Sequence, residues 1–138
     1  VTSPQVYEPS DALKPVKAFL IAEFAAAGAP FDTVRVALNE DDWEPGATDG
    51  PQLVLYDDGG PLEWPITSRV TVRVTVWSTG RDLSRTIAKR AVGLLLCKPI
   101  PGVAQVLPGM SIMDARDSKT LAELATFTVR TRVRTTAL

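Results

Sequence analysis

The 138-residue sequence contains no histidine and a single cysteine, Cys97. Without an imidazole, the commonest general base and the commonest metal ligand are both missing. One thiol excludes an intrachain disulfide framework. Cys97 ends an apolar helical pattern, so it reads as a small buried hydrophobe and not as a reactive thiol. No apolar run approaches the ~20 residues that a membrane helix needs. The first ten residues, VTSPQVYEPS, have neither the basic start nor the apolar core of a secretory leader. Membrane partners and a leader are therefore not expected.

Motifs that carry chemistry are scarce as well. The Asp41-Asp42 and Asp57-Asp58 pairs do not extend into the alternating oxygen ligands of a calcium loop, so turn or solvated-loop chemistry is expected there and no metal. Ser78-Thr79-Gly80-Arg81 lacks the glycine spacing and the lysine of a phosphate loop. Serine, threonine and aspartate are plentiful, but no base stands ready to complete a triad. No catalytic residue, cofactor or metal is expected.

What is present has the length and apolar content of one soluble globular domain. Net charge is −1, yet residues 1–64 carry −9 and residues 65–138 carry +8. The split fits neutralisation within one fold. It fits equally a subunit with an acidic and a basic flank, which suits head-to-tail contacts.

The stretch from Pro65 to Cys97 organises the chain. Val70, Val72, Val74 and Val76 alternate with Arg69, Thr71, Arg73, Thr75 and Trp77, the period of a strand roughly 30 Å long. The valines are expected to cover a core and the Arg/Thr row to face something polar. Leu83, Ile87, Ala91 and Leu94/Leu95 then form the stripe of a helix, with Ser78 or Thr79 as cap, Asp82 in the first turn and Pro99 as stop. An earlier helix is predicted from Pro9-Ser10-Asp11 to Gly28. Leu13, Val16, Leu20 and Phe24 make its buried stripe, widened by Phe19 and Ile21. Short strands are predicted around Val34–Leu38, Gln52–Tyr56, Val103–Leu107 and Ile112–Ala115. A long final strand runs over Ala125–Thr135 and pairs antiparallel with the central one. The apolar stripes predict that Val72, Val74, Leu83, Ile87, Ala91, Leu94, Leu20, Phe24 and Val129 are buried together.

Two features stand above this background. Arg69 and Arg73 on one strand, with Arg130, Arg132 and Arg134 on the other, predict a basic sheet face flanked by threonine. Arg81, Arg85 and Lys89 form a second basic stripe along the second helix. The plain reading is a solvated sheet face and a solvated helix face; the functional alternatives are phosphate contact and a subunit interface built on bidentate arginine. Few aromatics interleave with the arginines, the pI is acidic and no reading motif is present, so sequence-specific nucleic-acid binding is not expected. The second feature is the loop 39–51, with Glu40, Asp41, Asp42 and Glu44 around Trp43. It is expected to be mobile in the free subunit. Trp43 is either a surface residue folded back on the core or an anchor that orders against a partner.

Taken in order, PSDALKPVKAFLIAEF, VRVAL, the acidic loop, RVTVRVTVWSTGRDLSRTIAKRAVGLL and TFTVRTRVR resemble the tail terminator (tail completion, head–tail joining) proteins of long-tailed bacteriophages. The resemblance covers nearly the whole chain and rests on the order and character of its elements. It implies a single α+β domain over 1–138, with a mixed or antiparallel sheet of about four to five strands and two helices packed on one face. It implies a homo-hexameric ring in the virion neck, assembled in the host cytoplasm, that caps the tail tube, stops its polymerisation and joins it to the head connector. The partners it implies are further copies of the chain, the tail tube protein and the head–tail connector protein. The candidate interface is Arg69, Arg73, Arg130, Arg132, Arg134, Glu40, Asp41, Asp42, Trp43 and Glu44. Another neck or tail component, such as a connector ring or tube subunit, is the alternative, followed by a small nucleic-acid-binding module.

Overall fold

Alternation of valine with arginine and threonine builds the central ladder. A computed structural model describes residues 4–38, 50–117 and 122–138. In it, β5 (Thr67–Ser78) pairs antiparallel with β8 (Glu123–Arg134) along the full length of both strands. Val74 stands opposite Phe127 and Val72 opposite Val129, so the apolar rows of both strands share one face. On β5's other side lies β3 (Gln52–Asp57), antiparallel, with Leu53 opposite Val76 and Leu55 opposite Val74. Beyond it β2 (Arg35–Ala37) runs parallel to β3. At the far edge β6 (Gln105–Pro108) and β7 (Met113–Arg116) pair with successive parts of β8. A short β4 (Leu62–Glu63) continues along β5. The result is a mixed seven-stranded sheet, larger than the four to five strands expected. A separate two-stranded sheet of β1 (Tyr7–Glu8) and β9 (Thr136–Ala137), which sequence patterning did not anticipate, joins the two ends of the chain.

Both helices pack on the valine face, as the sequence implied. α1 (Leu13–Ala27) starts where Asp11 accepts hydrogen bonds from the Leu13 and Lys14 amides at 2.9 and 3.3 Å. It ends at Gly28, whose φ of 78° is open to glycine. α2 (Arg81–Cys97) follows β5 directly and folds back over it. Val16, Leu20 and Phe24 of α1 and Ile87, Ala88, Ala91 and Leu95 of α2 meet Leu53, Leu55, Val72, Val74, Val76, Phe127 and Val129 in one core. Phe24 and Phe31 close its edge with ring centroids 5.8 Å apart.

Several expectations change. Ile87, Ala88, Ala91 and Leu95 form the buried stripe of α2, while Leu83 and Leu94 are only half-buried beside it. Of the two residues expected to widen the α1 stripe, Phe19 is buried with Val16, Leu20 and Phe24, while Ile21 is 47% exposed on the other side of the helix. Cys97 is exposed, since the last turn of α2 passes the edge of the core. No side chain caps α2: the Ser78 hydroxyl is turned instead to Ser84 Oγ (2.5 Å) and the Gly80 carbonyl (2.8 Å). Asp82 does sit in the first turn. Among the described residues no helix is long and apolar enough to cross a membrane.

Candidate functional site

The face of the sheet opposite the helices carries every candidate arginine. Cross-strand partners point the same way in an antiparallel pair. The register therefore puts Arg69 with Arg132, Thr71 with Arg130, Arg73 with Thr128 and Thr67 with Arg134, all on the outer face. Thr131, on the inner row, is buried and donates to the Val70 carbonyl at 2.8 Å.

Much of that charge is answered within the chain. Glu63 on β4 takes Arg69 and Arg132 on one carboxylate oxygen and the Thr67 hydroxyl on the other (3.2 Å). Arg73 lies 3.4 Å from Asp58 and stacks over the Tyr56 ring at 4.3 Å. Arg130 donates Nε–H to the Pro108 carbonyl at 3.2 Å and remains exposed, as does Arg134. Among the described residues neither Arg130 nor Arg134 meets a carboxylate. Around Arg69, Arg130 and Arg132, with Gln105 and Leu107 of β6 and Gly60 opposite, lies a concavity of about 190 Å³. Gly60 is required there: its φ is 158°, and an added Cβ would collide with the Arg69 carbonyl.

Toward the other end the same face changes character. Trp77, Leu124, Met113 and Ala115, with Met110 and Tyr56, rim a shallow depression floored by Thr75, Thr126 and Thr128. Met110 reaches it because its amide donates to Thr128 Oγ1 at 2.6 Å, and Gly109 lets the two backbones approach. Gln52, Val54 and Thr75 are buried although they belong to this outer face. A uniformly solvated Arg/Thr surface, the plainest reading of the sequence, is thus corrected to an arginine half and an apolar half.

The second predicted basic stripe is also altered. Arg81 and Arg85 both grip Asp114 on β7, each at 2.8 Å. Desolvation pushes the Asp114 carboxyl up. The Arg85 hydrogen bond and the charges of Arg81 and Arg85 outweigh it and hold the group below the usual aspartate range. Lys89 alone of that stripe has no carboxylate beside it among the described residues.

Sequence reading found the arginines because their alternation is local. It missed Glu63 as their common counter-ion, and Gln105, Leu107, Met110 and Met113 as neighbours. Those come from strands whose partners only the sheet order reveals. Glu40, Asp41, Asp42, Trp43 and Glu44 lie outside the described residues. Among the described residues no three His, Cys, Asp or Glu side chains form a cluster that could hold a metal ion.

Over 91% of its length the chain is similar in structure to 99% of a chain from the solved structure "Virion of native gene transfer agent (GTA) particle", with a TM-score of 0.59 and 14% identity. At that identity the likeness is one of fold. The sequence matches no protein-family model and no curated protein.

Proposed function

We propose that this chain is a structural, non-enzymatic component of a phage-like virion. It is a tail-terminator-type ring subunit that caps the tail tube, stops its polymerisation and joins it to the head connector. The observation that supports the reading is the likeness of nearly the whole fold to a chain of a gene transfer agent virion. The order of elements in the sequence, which resembles tail terminators, narrows the role. Homo-hexamerisation and the tube and connector partners belong to this proposal.

The arginine half of the outer face serves assembly in this reading. Arg130 and Arg134 are the charges that the described part of the chain leaves for a partner, whereas Arg69, Arg73 and Arg132 have carboxylates of their own. Glu40, Asp41, Asp42 and Glu44, with Trp43 among them, supply the complementary surface of a neighbouring subunit. A desolvated arginine–carboxylate pair at an interface centre contributes far more than an exposed one.

The test combines sedimentation over a range of protein concentrations with capping of tail tubes. The double variant Arg130→Glu/Arg134→Glu is expected to stay folded, since both side chains are exposed, and to lose assembly or capping. Wild-type protein is expected to bind DNA weakly. Normal assembly of the variant, with tight and steeply salt-dependent DNA binding by the wild type, would establish the nucleic-acid alternative instead.

A further inference from the structure

The arginine concavity has walls as well as charge. Its floor is two strands wide, with Arg69 and Thr71 of β5 opposite Arg132 and Arg130 of β8. Gln105 and Leu107 of β6, in register with Arg132 and Arg130, form one wall. The turn at Gly60 and Pro61 forms the other. Backbone hydrogen bonds fix that turn against β5: Thr71 N–H donates to the Gly59 carbonyl at 2.8 Å and Arg69 N–H to the Pro61 carbonyl at 2.9 Å. Both walls therefore stand before any ligand enters, which lowers the cost of binding.

Three guanidinium groups share this place with one carboxylate. Glu63 meets Arg69 at Nε and Arg132 at a terminal nitrogen 3.5 Å away, and it does so from β4, outside the lining of the concavity. Three positive groups against one negative group leave an excess of two positive charges. Arg130 uses its Nε–H on the Pro108 carbonyl, and among the described residues its terminal nitrogens meet no acceptor. Like charges gathered in this way repel, and a further anion between them relieves the repulsion.

We infer that the concavity receives one carboxylate on an apolar stem: the side chain of a glutamate from a partner protein. The terminal N–H groups of Arg130 suit a carboxylate taken in the bidentate way. Pro61, Val70 and Leu107 offer the methylene groups of the stem an apolar wall. A volume of about 190 Å³ admits a side chain that ends in its charge. A nucleic-acid phosphodiester carries a sugar on either side and does not enter such a space. This inference rests on the reading of the arginine half as an assembly surface and names the group which that surface receives.

The test is an NMR titration of isotope-labelled protein with N-acetylglutamic acid α-amide, whose sole charge is the side-chain carboxylate. The Nε–H signals of Arg69, Arg130 and Arg132 and the side-chain amide of Gln105 should shift together and saturate. The neutral isostere N-acetylglutamine amide should leave them in place. Arg130→Gln should weaken binding at least about tenfold with an unchanged melting curve. Lys89→Gln, which removes the same charge from the helical layer, should bind as wild type does. Shifts that never saturate, that spread over every exposed arginine, that the neutral isostere reproduces, or that Arg130→Gln retains in full overturn the site. Inorganic phosphate or a DNA duplex that saturates the same signals at a lower concentration overturns the assignment to a carboxylate. A failed titration beside loss of assembly in Arg130→Glu/Arg134→Glu overturns this site and leaves the assembly reading standing. Normal assembly and capping by that double variant overturns both.

Discussion

Arg69 and Arg132 stand directly opposite one another on β5 and β8, and both guanidinium groups reach the same carboxylate oxygen of Glu63. Like charges at directly opposed positions destabilise a ladder. The short β4 places Glu63 where it offsets that repulsion, so the arginine face depends on a strand of two residues.

Replacing Glu63 with Gln keeps the shape and removes the charge. The pairs are 34–50% exposed on both sides, so the expected loss is modest, about 0.5–1 kcal/mol. It should be larger at low salt, where the two arginines repel unscreened. Urea unfolding at low and high salt checks this; a salt-independent difference would show that the charge is not what matters.

The hydroxyl of Ser84 is buried in the first turns of α2. It donates to the Glu123 carbonyl at 2.6 Å and lies 2.5 Å from Ser78 Oγ, tying the helix to the ends of both long strands. Ser84→Ala removes the donor to the Glu123 carbonyl, while the Ser78 hydroxyl keeps the Gly80 carbonyl, and should cost about 1 kcal/mol. The urea midpoint should fall without a change in slope.

Asp114 holds β7 to α2 through Arg81 and Arg85. Its carboxyl titrates below the usual range in the folded protein, so the unfolded chain takes up the proton first as pH falls. Its stabilisation is therefore fully present above about pH 4 and is lost as pH drops through the lower folded value. Wild type should be more stable than Asp114→Asn near neutrality, and the two should converge in strong acid. A gap that persists there would point to packing and not to charge.

Val74 is fully buried opposite Phe127 at the centre of the sheet. Val74→Asp would place a carboxyl among apolar side chains and should cost ~3 kcal/mol or more, enough to leave a marginal domain largely unfolded. Loss of the cooperative thermal transition is the expected readout. An unchanged melting temperature would show that the inner face is misassigned.

The sequence by itself determined the long-range skeleton. Period-two alternation in β5 and β8 assigned each residue to a face, because a strand offers its side chains two directions only. Three- and four-residue spacing did the same for α1 and α2, and the pairing of the two long strands followed from their matched length and pattern. What tertiary structure decided was every relationship between segments without such periodicity. Whether Cys97 or Ile21 is covered depends on how far a helix overhangs the core, and no local pattern encodes that. The neighbours of the arginines, Glu63 from a two-residue strand and Gln105 and Leu107 from β6, were set by sheet order, as was the approach of Met110 and Met113 to Trp77.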